Sequence, residues 1–389
     1  MTAEHAPLTP AVLRWARERA GYTVEEVAAR LKVKPARVAS WEAGTAPVTI
    51  RRLDALAALY RRPTALFYLA EPPSEEEHAP TDFRAKPSER TAPGLRYQIR
   101  YAEERRSVAL DLLQELAEDV PRFPFACART EEPGTVGDRL RAMLGVPIEA
   151  QLEWRRDTGG YSALAGWKEA VERLGVLVFQ ASRKDLGEVR GLSIHADRLP
   201  VALLRSADVP VARVFTLMHE LVHLGLRQGG VCDLHDANVE LYCNQVAAAV
   251  LMPRAELLRR VGGVSATPKS WPDEKLRELA RVFSVSEPAL VLRLVEVGAA
   301  TWELYQAKRR DFELRARAAE SREDREASGF VPPHTKSLAT HGRTYARLVL
   351  EAHHRGVIPA ARAMRYLGVS FEAMGKIELD LGQRASRAA

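Results

Sequence analysis

One short stretch carries residue types that could perform hydrolysis: Phe215-Thr216-Leu217-Met218-His219-Glu220-Leu221-Val222-His223. On an α-helix, residues i and i+4 lie on one face, about a turn apart. His219 and His223 then point the same way, and two imidazoles so placed can hold one zinc ion. Glu220, one position along, can reach a water activated there without displacing a ligand. Downstream, Glu240-Leu241-Tyr242-Cys243-Asn244 opens a second apolar stretch that runs to Pro253. Glu240 and Asn244 are again i and i+4. A carboxylate at the start of an alanine-rich, buried helix is costly unless it is paired or bound to metal. Catalytic zinc sites usually keep three protein ligands and one open position, and Glu240 is the candidate for the third. The bland alternative is a core helix that carries two histidines by chance, and the second stretch weighs against it.

These residues need two helices to position them. Val214, Leu217, Met218, Leu221, Val222 and Leu224 have helical spacing, and Gly225 with Gly229-Gly230 supplies a stop. The pattern predicts a helix over 210–225, a loop over 226–237, and a second helix over 238–252 that ends before Pro253. A helix over 161–174 and strands near 175–180, 190–196 and 200–205 precede them. The expected arrangement is a short sheet packed on the helix that carries the histidines.

From about residue 154 to about 298 the chain resembles the ImmA/IrrE-type zinc metallopeptidases. The matching features are Gly175-Val-Leu-Val-Phe-Gln180, Arg190-Gly191-Leu192-Ser193-Ile194 and Pro200-Val-Ala-Leu-Leu204. Two more follow: the Arg213-x-Phe215-Thr216-x-x-His219-Glu220-x-x-His223 helix, and Glu240-x-x-Cys243-Asn244 with its Leu251-Met252-Pro253 ending. The resemblance implies that His219, His223 and Glu240 ligate zinc and that Glu220 is the general base. It also implies peptide hydrolysis, with a helix-turn-helix repressor as the substrate, in a stress or mobile-element response. Two histidines and a carboxylate suit several metals, so Mn2+ is kept beside Zn2+. Asn244 and Asp233 are candidates to orient ligands or touch substrate. The oxyanion stabiliser is open among Tyr242, His195 and His235. Cys232 in the loop could take the fourth position on the metal, but the simpler reading is a loop residue, with Cys243 packed in its helix.

The charge balance points to a second partner. The chain of 389 residues has 57 Lys and Arg against 51 Asp and Glu, a net charge of +6. Residues 8–70 hold eleven of these basic residues and five acidic ones, which accounts for the whole excess. A basic segment on a neutral remainder points to nucleic acid. The segment reads as five short helices. Thr9-Pro10 opens the first, the capping box Thr23 to Glu26 opens the second, and the third covers 35–42. Val27, Ala28, Leu31, Val33, Val38 and Trp41 are spaced to form a small core.

This segment is similar to an Xre/Cro-type helix-turn-helix, through Ala28-x-x-Leu31, Val38-x-x-Trp41-Glu42 and Gly44. The resemblance implies double-stranded DNA as partner, with Lys34, Ala36, Arg37 and Ser40 facing it. Arg37 and Ser40 would read base edges, while Lys34, Arg51 and Arg52 would hold phosphates. Position 24, where this family often has Gln, is Val24. Weak or dimer-dependent recognition is therefore an option, and a homodimer stays open. The competing reading is a helical protein-interaction module with solvated arginines.

The expected fold is mainly α with a small β-sheet, α+β in class. Residues 1–70 form the five-helix helix-turn-helix domain, 71–95 a Pro- and charge-rich linker, and 96–150 a helical connector. Residues 151–300 form a zincin-like peptidase domain, and 301–389 a helical C-terminal region. Within the peptidase domain, 276–298 has a helix-turn-helix look without the basic surplus, and it reads as structural. His353 and His354 are adjacent, so on a helix they face apart. No apolar run of membrane-spanning length occurs, and three cysteines build no disulfide framework. A cytoplasmic setting is expected. The functional expectation is a DNA-binding zinc endopeptidase that cleaves a repressor, in trans or its own N-terminal domain in the linker. The alternative is an Xre-family regulator or antitoxin whose peptidase-like domain senses without proteolysis.

Overall fold

The structure is a computed structural model. It describes residues 5–73, 92–120, 122–154, 159–227, 237–263, 271–326 and 331–388. The fold is mainly α-helical, with a single three-stranded sheet among the described residues. Contacts divide the chain into two compact units, one of residues 1–103 with 184–187 and one of 104–183 with 188–389.

The first unit is built from α1 (Pro10–Ala20), α2 (Val24–Leu31), α3 (Pro35–Glu42) and α4 (Ile50–Tyr60), followed by a 3-10 turn (Thr64–Tyr68). The ends are set locally. Pro10 starts α1, and Gly21 ends it at φ 81°. Thr23 and Glu26 form the reciprocal capping box of α2, with Thr23 N donating to Glu26 Oε2 at 2.7 Å and Glu26 N donating to Thr23 Oγ1 at 3.0 Å. Val12, Leu13, Val27, Val38, Trp41, Leu53 and Leu56 share one core. Beneath it, the carboxylate of Glu42 takes both arms of Arg17, at 2.7 and 3.0 Å. Glu42 raises the pKa of Arg17 against the effect of burial.

The second unit begins in α5 (Pro93–Glu115). The sequence expectation began this helix at 96; Pro93 starts it earlier. Next come α6 (Pro133–Leu144), a short α7 (Ile148–Trp154) that the periodicity did not foretell, and α8 (Tyr161–Arg173). The sheet follows as β1 (Leu177–Ala181), a one-turn α9 (Arg183–Leu186), β2 (Gly191–Ile194) and β3 (Val201–Arg205). Spatial order is β1-β3-β2, with β1 parallel and β2 antiparallel to β3. Then come α10 (Pro210–Gly225) and α11 (Ala237–Leu251).

Register and alternation explain how the sheet supports α10. Gln180, Leu204 and Gly191 form one row across the three strands. At one end of that row Arg213 of α10 donates to Gln180 Oε1 at 2.8 Å. At the other end, Gly191 lies against Thr216 and Glu220. The opposite face carries Phe179, which stacks edge-on to Tyr345 and lies under the Arg105 guanidinium, 3.8 Å from its ring centre.

The rest of the unit is helical: α12 (Arg254–Val261), α13 (Asp273–Phe283), α14 (Glu287–Glu296), α15 (Trp302–Glu326), α16 (Pro333–His341), α17 (Arg343–His354), α18 (Ala360–Leu367) and α19 (Phe371–Ala388). The helix-turn-helix look of 276–298 is α13 with α14. Leu276, Leu279, Phe283, Leu290 and Leu294 of this pair are buried in the core that also holds α10 and α11. His353 and His354 face apart, to the carbonyl of Ile358 and to Glu378.

The Arg17–Glu42 pair is side-chain buried on both partners, 12% and 4% exposed. Removing one member leaves the other charge without its partner. Glu42→Ala is expected to destabilise the first unit by about 3 kcal/mol. Calorimetry of the full chain would show this as a downward shift of one transition.

Candidate metal centre

Three side chains meet at one point between α10 and α11. His219 Nε2 and His223 Nε2 are 3.0 Å apart. Glu240 places Oε2 at 3.2 Å from His219 Nε2 and Oε1 at 3.3 Å from His223 Nε2. Among the described residues, this is the one group of three or more such side chains whose ligand atoms converge within 4.8 Å. The rings stand 4.7 Å apart at 62°, as two imidazoles one helical turn apart do when both turn to a shared point.

The donor chemistry fits a cation. Asn244, one turn beyond Glu240, puts Oδ1 at 3.0 Å from His219 Nδ1. A carbonyl oxygen there only accepts, so the Nδ1 proton faces it, and neutral His219 turns the Nε2 lone pair inward. Glu240 Oε1 is buried and makes no hydrogen bond, although His223 Nε2 is 3.3 Å away. Two ring nitrogens and a carboxylate this close call for a shared proton or a positive ion, and two imidazoles with a carboxylate suit a divalent cation. The two imidazole nitrogens are 3.0 Å apart and each lies 3.2 or 3.3 Å from its own oxygen of the Glu240 carboxylate, close to the roughly 3.3 Å separation of ligand atoms each bonded at about 2.0 to 2.1 Å to one tetrahedral zinc. The charges agree. The imidazoles of His219 and His223 hold the Glu240 carboxyl down to about 2. Burial opposes charge on His219, but Glu240, Glu220 and Asn244 outweigh it and raise its pKa.

The helices that carry these groups are fixed from outside. On α6, Gly137 lets α11 approach so closely that a Cβ there would sit 2.4 Å from Ala249 Cβ. The C-terminal carbonyls of α11 and the residue after it are taken by buried donors. Arg141 donates to Val250 O at 2.7 Å and Gln151 to Leu251 O at 3.0 Å, while Arg293 reaches Met252 O at 3.2 Å. Burial pulls the Arg141 guanidinium down to about 10. Glu220 is 3% exposed, on the sheet side of α10. A Cβ on Gly191 would come within 2.9 Å of Glu220 Oε1, so the missing side chain makes room for this carboxylate. Gly191 was legible only as part of a strand, and nothing in the sequence pairs it with Glu220.

Asp233, Cys232 and His235 lie outside the described residues. Tyr242 donates to Ala128 O at 2.9 Å, engaged with the segment before α6. His195, just past β2, has a buried Nδ1 without a hydrogen-bond partner. The thiols of Cys127 and Cys243 are pushed up by burial, Cys127 to about 12, which leaves them protonated.

In the first unit, Lys34, Ala36 and Arg37 are exposed at the start of α3, and Arg51 is exposed on α4. Ser40 is half-buried and donates to Arg37 O at 2.8 Å. Arg52 behaves differently from its neighbour. It donates to Leu31 O at 3.1 Å, closing the end of α2, and lies over Trp41 with Arg37 on the same ring.

Comparison with known families agrees with this geometry. Residues 171–295 match the peptidase M78 family model, described as an IrrE N-terminal-like domain. Over those residues the chain is similar to an IrrE N-terminal-like domain. Residues 13–67 match a helix-turn-helix family model. The architecture is therefore a helix-turn-helix domain of the DNA-binding kind followed by a metallopeptidase-like domain. His219, Glu220, His223 and Glu240 all fall inside the IrrE-like match, and Lys34 to Arg52 fall inside the helix-turn-helix match. A search of curated proteins and a search of solved structures return no match. Among the described residues, no helix is long and apolar enough to cross a membrane.

The IrrE-like domain is expected to take up one divalent ion per chain. Elemental analysis after dialysis against zinc checks this. Glu240→Gln should lower zinc affinity by more than about a hundredfold, and Asn244→Ala, which removes only the partner of His219, by about ten- to a hundredfold.

Proposed function

We propose that this protein is a DNA-tethered, zinc-dependent endopeptidase that regulates transcription by cleaving a helix-turn-helix repressor. The convergence of His219, His223 and Glu240 beside Glu220 carries the reading. The family resemblance supplies the substrate class. Zn2+ is the proposed ion, with Mn2+ acceptable to the same donors. When bound, the ion supplies Lewis acidity that acidifies water and polarises a carbonyl.

The chain's own residues do the rest. His219, His223 and Glu240 hold the ion, and Asn244 fixes the tautomer and ring plane of His219. Glu220 takes a proton from the attacking water and returns it to the leaving amine. At the rim of β2, Gly191 leaves room for this carboxylate. The helix-turn-helix brings the peptidase to DNA. There Arg37 at the exposed start of α3 reads a base edge, and Lys34 and Arg51 hold phosphates. Arg52, already bound to Leu31 O and stacked on Trp41, shapes the surface more than it grips phosphate. A second copy of the chain would extend a recognition surface this small to two half-sites.

Two variants test the halves separately. Glu220→Gln should keep its zinc and lose cleavage of a purified Xre-type repressor by roughly 10²- to 10⁴-fold. Unimpaired cleavage by that variant would remove the enzyme reading and leave a sensor. Arg37→Ala should weaken operator binding by about 1–3 kcal/mol and relax specificity at one base pair, as measured by mobility shift across operator variants.

A further inference from the structure

A cavity of about 590 Å³ lies in the second unit, on the sheet side away from α10. Its walls are the end of α5 and the residues after it, the end of α8, the start of β1, and the inner faces of α17 and α19. None of the groups assigned to hydrolysis or to DNA lines it. The volume falls in the range of small-molecule sites, roughly 300 to 1,000 Å³, which are mostly apolar with a few fixed polar groups. Six leucines line it, among them Leu177 and Leu381, buried to 2% and 6% exposure.

The charged groups around these leucines are unbalanced. Five carboxylates line the cavity against two arginines. Arg355, just outside, answers two of the five, Glu118 at 3.3 Å and Glu351 at 2.6 Å. Of the two lining arginines, Arg173 turns to Glu169 at 3.6 Å and to the carbonyl of Leu144. That leaves Asp119, Glu172 and Glu378, with Arg347 lining the same cavity, Lys168 beside Glu172 and the imidazole of His354 on Glu378. Glu172 is held rigidly at the start of α17, accepting from the backbone N–H of Arg343 at 3.2 Å and of Thr344 at 3.3 Å and from the Thr344 hydroxyl at 3.1 Å. Burial raises its pKa, with Lys168, one turn before it on α8, opposing the shift. Glu378 meets the imidazole of His354, at 2.8 Å.

We propose that this cavity binds a small amphipathic cation, an alkyl chain ending in a protonated amine. The chain lies along the leucines, and the ammonium sits among Glu378, Asp119 and the edge of Glu172. Such a ligand buries apolar surface on a floor that already exists and adds charge-assisted hydrogen bonds where carboxylates outnumber cations. An alkyl carboxylate of the same length would meet the same floor and the wrong charge. The cavity joins α17 and α19 to β1, so occupation stabilises the docking of the C-terminal helices on the sheet.

Calorimetric titration of the full chain with decylamine, decanol and decanoate, each below its aggregation threshold, tests this. Decylamine should bind saturably and raise the melting temperature, with decanoate weaker by more than about tenfold. Glu378→Gln, a half-exposed position, should weaken decylamine by about tenfold and leave decanol unchanged. Leu348→Trp should fill the cavity and remove both. Equal binding of decanoate, an unchanged decylamine affinity in Glu378→Gln, or no saturable binding of decylamine would each overturn the proposal. Should Leu348→Trp fold poorly, the decanoate comparison and Glu378→Gln still decide it.

Discussion

The peptidase-like unit depends on one electrostatic constraint: two imidazole nitrogens 3.0 Å apart, each within 3.3 Å of an oxygen of one carboxylate. Two imidazole nitrogens and a carboxylate oxygen repel at that range unless a proton or a metal ion sits among them. The protein holds them there through structure that is remote from the site. The α6–α11 crossing at Gly137 fixes the helix that carries Glu240, and Arg141, Gln151 and Arg293 take the carbonyls at its far end. The Arg213–Gln180 bond fixes the helix that carries the histidines to the sheet. A helix whose last carbonyls are bound by buried guanidinium and amide groups cannot slide or rotate without leaving those groups unpaired. The ligand triangle therefore inherits the rigidity of the core.

The same principle operates in the first unit on a smaller scale. A helix-turn-helix domain of this size has a small core, and the buried Arg17–Glu42 pair ties α1 to α3. Trp41 carries a guanidinium from Arg37 and one from Arg52 over its ring. The position of the exposed Arg37 side chain is thus coupled to the core through the aromatic ring it covers.

What could be read from the sequence follows the distance between interacting residues. His219 and His223 are one turn apart on a helix whose apolar spacing is unambiguous, so their shared face was legible. Glu240 was legible as a misfit, a carboxylate opening an alanine-rich helix. The capping box of Thr23 and Glu26 and the stop at Gly21 are equally local. The meeting of Gly191 with Glu220 was not legible, because it depends on strand order and on where α10 crosses the sheet. Arg52 read as a phosphate contact because sequence shows only its charge, and the carbonyl it binds belongs to α2. The short helices α7 and α9 have too few residues to display a period. The leucine cavity draws its walls from five parts of the chain and has no sequence pattern at all.

On the proposed function, Glu220 carries out peptide hydrolysis on a specific protein. The most direct measurement compares newly formed protein N-termini in cells that express the wild-type chain or Glu220→Gln, with and without DNA damage. A small set of termini should require Glu220 and fall within a helix-turn-helix repressor or within the segment following residue 73 of this chain. Identical termini in the two strains under the inducing condition would contradict it and leave the IrrE-like domain as a metal-binding sensor.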